Sequence, residues 1–228
     1  AIPDEVNPMM GNRGIRLCLD RKKMFKAQLR AIYRASAYGN INLMYPMITS
    51  EDELDEIEKL IREVKKGLDE KNIPYKNIRT GIMIETPAAV MISEELGKRV
   101  DFLSLGTNDL TQYTMSVDRG NEKVSYLYST FNPAVLRSIR NIIKCGREAG
   151  IMVGMCGEAA SDPMMIPLLL AFGLNEFSMS ASAVLRTRKL VTGFSIKELQ
   201  AVAEKAMSFA TAAEVEAYMK EFMEKMTD

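Results

Sequence analysis

Short apolar runs rich in Ile, Val and Phe alternate along this chain with longer stretches whose apolar residues recur at helical spacing. That alternation is the sequence form of strand and helix units repeated around a parallel sheet. The spacing predicts five parallel strands, over Ile41–Met47, Thr80–Glu85, Val100–Leu105, Met152–Cys156 and Glu176–Met179. Between them, Ser50 and Glu53 form a capping-box pattern ahead of Leu54, Ile57, Leu60, Ile61, Val64 and Leu68, one apolar helix face. Thr86–Pro87 and Asn132–Pro133 each put proline at the first position of a helix, and Gly150 ends the second of these. A further helix is expected over Met24–Tyr38, closed by Gly39. Ser195 with Glu198 and Thr211 with Glu214 predict two more capping boxes, opening a terminal pair of helices. With no low-complexity segment, short repeat or Gly/Ser linker, residues 1–228 are read as one domain or a contiguous piece of one.

Composition narrows the chemistry. The 228 residues are 47% hydrophobic and 26% charged, with 30 basic residues balancing 30 acidic ones. A neutral chain lacks the basic footprint of a nucleic-acid binder. No apolar run reaches the ~18 residues of a membrane span, and residues 1–8 have no signal-peptide pattern, so membrane insertion is not expected and a cytoplasmic location is. Cys18, Cys145 and Cys156 are too few and too irregularly spaced for a disulfide framework. The chain has no histidine at all, which removes imidazole bases, His/Asp triads, imidazole-ligated zinc and any phosphohistidine carried on this chain.

Ligands of parallel α/β folds sit beyond the carboxyl ends of the strands. The residues there are Glu85 after the second strand, Gly106–Asp109 after the third, Cys156–Glu158 after the fourth and Ser178–Ser180 after the fifth. Glu85 and Asp109 follow adjacent strands, so they can converge on one hard divalent cation, for which Mg²⁺ is the best match. They can equally serve as a helix-start carboxylate and a turn former. The small-residue turn Gly106–Asp109 can offer N–H groups to an anion. Arg119, and Arg13 or Arg16 near the N-terminus, can clamp a phosphate or carboxylate, or can simply be solvated. Cys156, flanked by Gly154 and Gly157, carries a thiol whose ordinary pKa of about 8.5 suits proton donation to an enolate; a metal ligand and an inert buried thiol are the other readings. The remaining two cysteines, and most of the seventeen methionines, read as structural.

Six segments taken together resemble one family. They are residues 7–16, GIMIETPAA at 81–89, DFLSLGTNDLTQYT at 101–114, VDRGN at 117–121, GMCGE at 154–158 and EFSMS at 176–180. In this order they are similar to the phosphoenolpyruvate (PEP)-binding domain of the enzyme I family, the PEP-protein phosphotransferases of bacterial sugar uptake. The resemblance implies a (β/α)₈ TIM barrel with its ligand at the C-terminal face. It also implies roles: Glu85 and Asp109 hold Mg²⁺; Asn108 and Asp109 contact PEP; Arg13 and Arg119 hold its anionic groups; Cys156 protonates the enolate to pyruvate. Partners implied are PEP and pyruvate, a second copy of this domain in a homodimer, and the carrier protein HPr, the last through a separate domain that bears the phosphorylated histidine.

The chain departs from that family in having no histidine and in beginning close to Arg13. Five strands of eight cannot close a barrel. The expectation is therefore a partial barrel of about five β/α units plus C-terminal helices, lacking the phosphohistidine domain and the first barrel strands, and unable to complete turnover alone. The competing readings are a piece of pyruvate phosphate dikinase or PEP synthase, which share the barrel, and a non-catalytic dimerisation or ligand-binding module.

Overall fold

The computed structural model describes residues 4–226. After a 3₁₀ turn at Pro8–Met10 come α1 (Ile15–Asp20), α2 (Lys22–Ser36), β1 (Asn42–Tyr45), α3 (Glu51–Asp69) and β2 (Arg79–Ile84). The short helices α4 (Pro87–Met91) and α5 (Ser93–Gly97) lead to β3 (Phe102–Gly106), α6 (Thr107–Met115), α7 (Pro133–Glu148) and β4 (Met152–Cys156). Then follow α8 (Met165–Phe172), β5 (Glu176–Phe177), α9 (Ala181–Gly193), α10 (Ile196–Met207) and α11 (Ala212–Lys225).

The five strands form one parallel sheet in the order β1-β2-β3-β4-β5. A doubly wound sheet would reverse its order at a switch point; this one advances one strand at a time, the connectivity of a barrel wall. The fold is an α/β parallel sheet consistent with a partial barrel, as expected from the sequence. β1 and β5 are its edges and are shorter than expected, each having a partner on one side only. Past β5 the pairing still continues, with Ser178 N–H donating to Met155 C=O at 2.9 Å.

Strand parity separates the two faces. Ile82, Leu103 and Val153 share one row, and Ile84, Leu105 and Met155 the next; all are buried under the helices. The other face carries Met83, Phe102, Ser104 and Met152, which remain partly exposed. The helical layer follows its sequence signals. In α3, Leu54, Ile57, Leu60, Val64 and Leu68 are buried, and Glu53 accepts from the Ser50 N–H at 3.1 Å. Asn132 and Thr86 cap α7 and α4, and Thr211 with Glu214 forms the box that opens α11. Ser195 is a correction: it precedes α10 as expected, but its side chain makes no capping bond, and the Glu198 N–H goes to the Ser195 carbonyl instead.

Helix α7 lies very close to β4. A methyl group on Gly146 would come within 2.2 Å of Val153 Cγ2. Gly146→Ala is therefore expected to destabilise the chain by about 1–3 kcal/mol through overpacking, against alanine's better helix propensity. Urea unfolding reads this directly; a rise in the midpoint would contradict the close contact.

Candidate active site

The partly exposed face of the sheet ends in a functional row. Ile84 pairs with Leu105, and Gly106 pairs with Cys156, so Glu85, Gly106 and Cys156 stand at one level and point to the same side. Gly106 is what admits Glu85: a Cβ there would sit 2.7 Å from Glu85 Oε2 and 2.8 Å from Met83 Sδ.

Glu85 is only 4% exposed, and its Oε1 accepts the Met47 N–H at 2.6 Å. To present that N–H, Met47 adopts φ +61°, a left-handed conformation that is costly for a residue with a side chain. Gly14 makes room for it, since a Cβ at Gly14 would lie 2.9 Å from Met47 Cβ. Asp109, in the first turn of α6, faces Glu85 within hydrogen-bonding reach and receives Arg13 Nη2 on Oδ2 at 3.0 Å. Burial pushes the Glu85 carboxyl up to about 7, and the Asp109 charge adds to the rise; the Met47 N–H and Arg13 oppose it.

Cys156 is partly buried, its thiol 3.5 Å from the Leu105 carbonyl. Burial, with lesser help from Glu85 and Asp109, raises its pKa, so the thiol holds its proton at neutral pH. Asn108, the second residue of α6, stands beside it. Its Oδ1 faces the Glu158 N–H at 3.4 Å, and Thr107 Oγ1 donates to the Cys156 carbonyl at 3.0 Å. Gly157, at φ +99°, lets these turns meet: a Cβ would lie 2.6 Å from Thr107 Oγ1.

The structure thus gathers Arg13, Glu85, Asn108, Asp109 and Cys156 at one end of the sheet. Arg119 is set apart on the rim. Its N–H donates to Gln112 Oε1 at 3.2 Å, and its exposed side chain reaches the phenol of Tyr128, whose hydroxyl donates to the Asn108 carbonyl at 3.3 Å. Arg16 does not enter the site; its Nη1 ties down the carbonyls of Met10 and Gly11 at 3.0 and 3.4 Å. Sequence reasoning missed Tyr113, Gly14 and the Met47 backbone, and read Gly106 only as part of an anion-facing turn, not as the residue that makes room for Glu85. Tyr113 alone left a readable sign, lying four residues after Asp109 and hence on the same face of α6.

The donor set fits a hard divalent cation. The charge on Asp109 raises the cost of ionising Glu85, and a cation between them removes that cost. Among the described residues no group of three His, Cys, Asp or Glu side chains could hold a metal. Two carboxylates leave most positions to water and substrate oxygens, the usual arrangement for Mg²⁺.

Without a metal, the proton on Glu85 makes stability depend on pH. Below its ordinary 4.5 the group is protonated folded or unfolded; between 4.5 and about 7 only the folded chain keeps the proton, so stability falls as pH rises and levels off above 7. The chain in EDTA is expected to lose on the order of 2–3 kcal/mol from this group between pH 5 and 8. Urea midpoints across that range check it, and Glu85→Gln should flatten this component.

A family model described as PEP-utilising enzyme, PEP-binding domain, matches residues 1–196. This chain belongs to that family. Its relatives include the phosphoenolpyruvate-protein phosphotransferases of Bacillus subtilis (strain 168), 46% identical over 221 residues, and of Staphylococcus aureus, 45% identical over 215. Those alignments cover 96% and 94% of this chain but 39% and 38% of the relatives. The chain therefore spans less than two-fifths of the length of these PEP-utilising relatives. A crystal structure of a citrate lyase from Burkholderia xenovorans LB400 superposes with a TM-score of 0.55 at 14% identity, covering 86% of this chain and 66% of that one. That likeness concerns the fold alone.

Proposed function

We propose that this chain is the PEP-binding part of a PEP-protein phosphotransferase, holding the phosphoryl donor while a histidine on another domain accepts the phosphoryl group and passes it to HPr. The observation that carries this reading is the convergence of Arg13, Glu85, Asp109 and Cys156, drawn from four separated segments, at the carboxyl end of a sheet whose relatives bear that name. In this reading residues 1–228 are the C-terminal domain, and the phosphohistidine domain and remaining barrel strands belong to the rest of the protein. In this reading the domain acts in the cytoplasm; among the described residues no helix is long and apolar enough to cross a membrane.

Glu85 and Asp109 would hold Mg²⁺, which when bound neutralises charge on the phosphoryl group and on the enolate oxygen. Arg13 and Arg119 would bind the anionic groups of PEP, and Asn108 would orient them from the head of α6. Departure of the phosphoryl group leaves its bridging electron pair on the enolate, and the Cys156 thiol gives its proton to the methylene carbon. The product is pyruvate, and a thiolate remains to be reprotonated from water.

With no histidine on the chain, incubation with PEP and Mg²⁺ is expected to yield no sustained pyruvate. A coupled lactate dehydrogenase assay measures it, and steady multi-turnover production by the chain alone would overturn the proposal.

A further inference from the structure

We propose that Tyr113 is the positioning residue for Arg13, an inference that rests on the PEP-binding reading above. Asp109 and Tyr113 stand one turn apart on α6, and the Arg13 guanidinium spans them. Its Nη2 meets Asp109 Oδ2 at 3.0 Å and its Nη1 meets Tyr113 Oη at 3.2 Å. The hydroxyl of Tyr113 also donates to the Met9 carbonyl.

Donor and acceptor rules fix the direction of this relay. An arginine only donates and a backbone carbonyl only accepts. The single phenol proton therefore points at Met9, and a lone pair is left for Arg13. Tyr113 thus grips the loop that bears Arg13 at two places, its backbone and its charged tip.

The rest of that loop is secured from other directions. Arg16 holds the Met10 and Gly11 carbonyls, and the Asn12 N–H bonds the Glu5 carboxylate at 3.0 Å. These contacts set the loop's backbone. None of them touches the guanidinium, whose side chain is 35% exposed. Nη1 also lies 3.6 Å from Met9 Sδ, a weak acceptor, and Asp109, the partner of Nη2, is also a candidate metal ligand. When metal and substrate draw Arg13 from Asp109, Nη1 stays on Tyr113, and the guanidinium turns about that contact toward the substrate anion. Tyr113 contributes no charge and need not touch substrate; it acts through Arg13.

The test uses the 228-residue chain and Tyr113→Phe, which keeps the ring and removes the hydroxyl. Calorimetry with PEP and Mg²⁺ is expected to show about tenfold weaker PEP binding, the loss of one hydrogen bond to a charged group. Mn²⁺ affinity without PEP, followed by electron paramagnetic resonance, should stay within about twofold, because Glu85 and Asp109 are untouched. In an Arg13→Ala background, Tyr113→Phe should add less than about twofold, since the two residues act as one unit.

A spectroscopic signature needs no variant. Nuclear Overhauser contacts between the Arg13 guanidinium protons and the Tyr113 ring are expected in the free wild-type chain and again with PEP and Mg²⁺ bound. Their absence in either state would overturn the inference. So would equal PEP affinity of wild type and Tyr113→Phe, or full additivity with Arg13→Ala. Failure of the wild-type chain itself to bind PEP would overturn the function reading and this inference with it, an outcome distinct from the others.

Discussion

Glu85→Gln is expected to abolish divalent-dependent PEP binding while leaving the metal-free chain at least as stable as wild type at pH 8. The two effects have one cause. Glutamine keeps the volume and can still accept the Met47 N–H that Glu85 receives at 2.6 Å. It cannot become an anion. The buried carboxylate, its pKa pushed up to about 7, is a destabilising charge when no cation is bound and, in the proposed function, a ligand when one is. Losing an outer partner of a metal ligand typically costs about 10–100-fold in affinity, so losing the ligand itself should exceed about 100-fold. Calorimetry with Mg²⁺ and PEP, together with urea unfolding in EDTA, reads both sides. A variant that binds PEP within about threefold of wild type would remove Glu85 from the site's machinery. One that binds nothing and also unfolds more readily would recast Glu85 as purely structural.

Cys156→Ala is expected to leave PEP binding nearly intact and to eliminate proton exchange at the product. If the Cys156 thiol protonates the enolate in the forward direction, its thiolate removes a methyl proton from bound pyruvate in reverse. The C–H bond breaks, its electron pair becomes the enolate, and the proton passes to sulfur. After exchange with deuterated solvent, a deuteron returns to the same carbon. The reaction needs no phosphoryl group and no histidine, so it lies within reach of this chain. Because burial raises the thiol's pKa, the exchange rate should climb with pH as thiolate accumulates. General acid–base groups are typically worth about 10²–10⁴-fold, and alanine should cost that much in the loss of the pyruvate methyl proton signal. Exchange at the wild-type rate in Cys156→Ala would place the proton donor elsewhere.

What could be read from the sequence was what lies close together along it. Strand ends are local features, and strand parity converts them into direction; Glu85, Gly106 and Cys156 share a level because the register of three neighbouring strands makes it so. Helix starts at Ser50, Thr86, Asn132 and Thr211 were equally local. Ser195–Glu198 had the same letters as Ser50–Glu53 and formed no box, because the Glu198 N–H found the Ser195 backbone carbonyl rather than the hydroxyl. Arg13 and Asp109 are 96 residues apart, and no periodicity brings them together. Only the completed fold does. Met47 left no signal either, since a left-handed residue is normally announced by Gly or Asn, and here the Glu85 carboxylate accepting its N–H helps hold the conformation. The edge strands β1 and β5 were over-extended in the sequence reading, because an apolar run shows where a strand can form and not where its neighbours stop.

In the proposed function this chain binds the phosphoryl donor and, having no histidine, leaves the acceptor to another domain. Titration of PEP into the 228-residue chain by calorimetry, in Mg²⁺ and again in EDTA, tests that most directly. Saturable binding at one site per chain in Mg²⁺, lost in EDTA, is the predicted result. No binding in either buffer, or equal affinity in both, would contradict a site assembled from Arg13, Glu85 and Asp109 around a divalent cation.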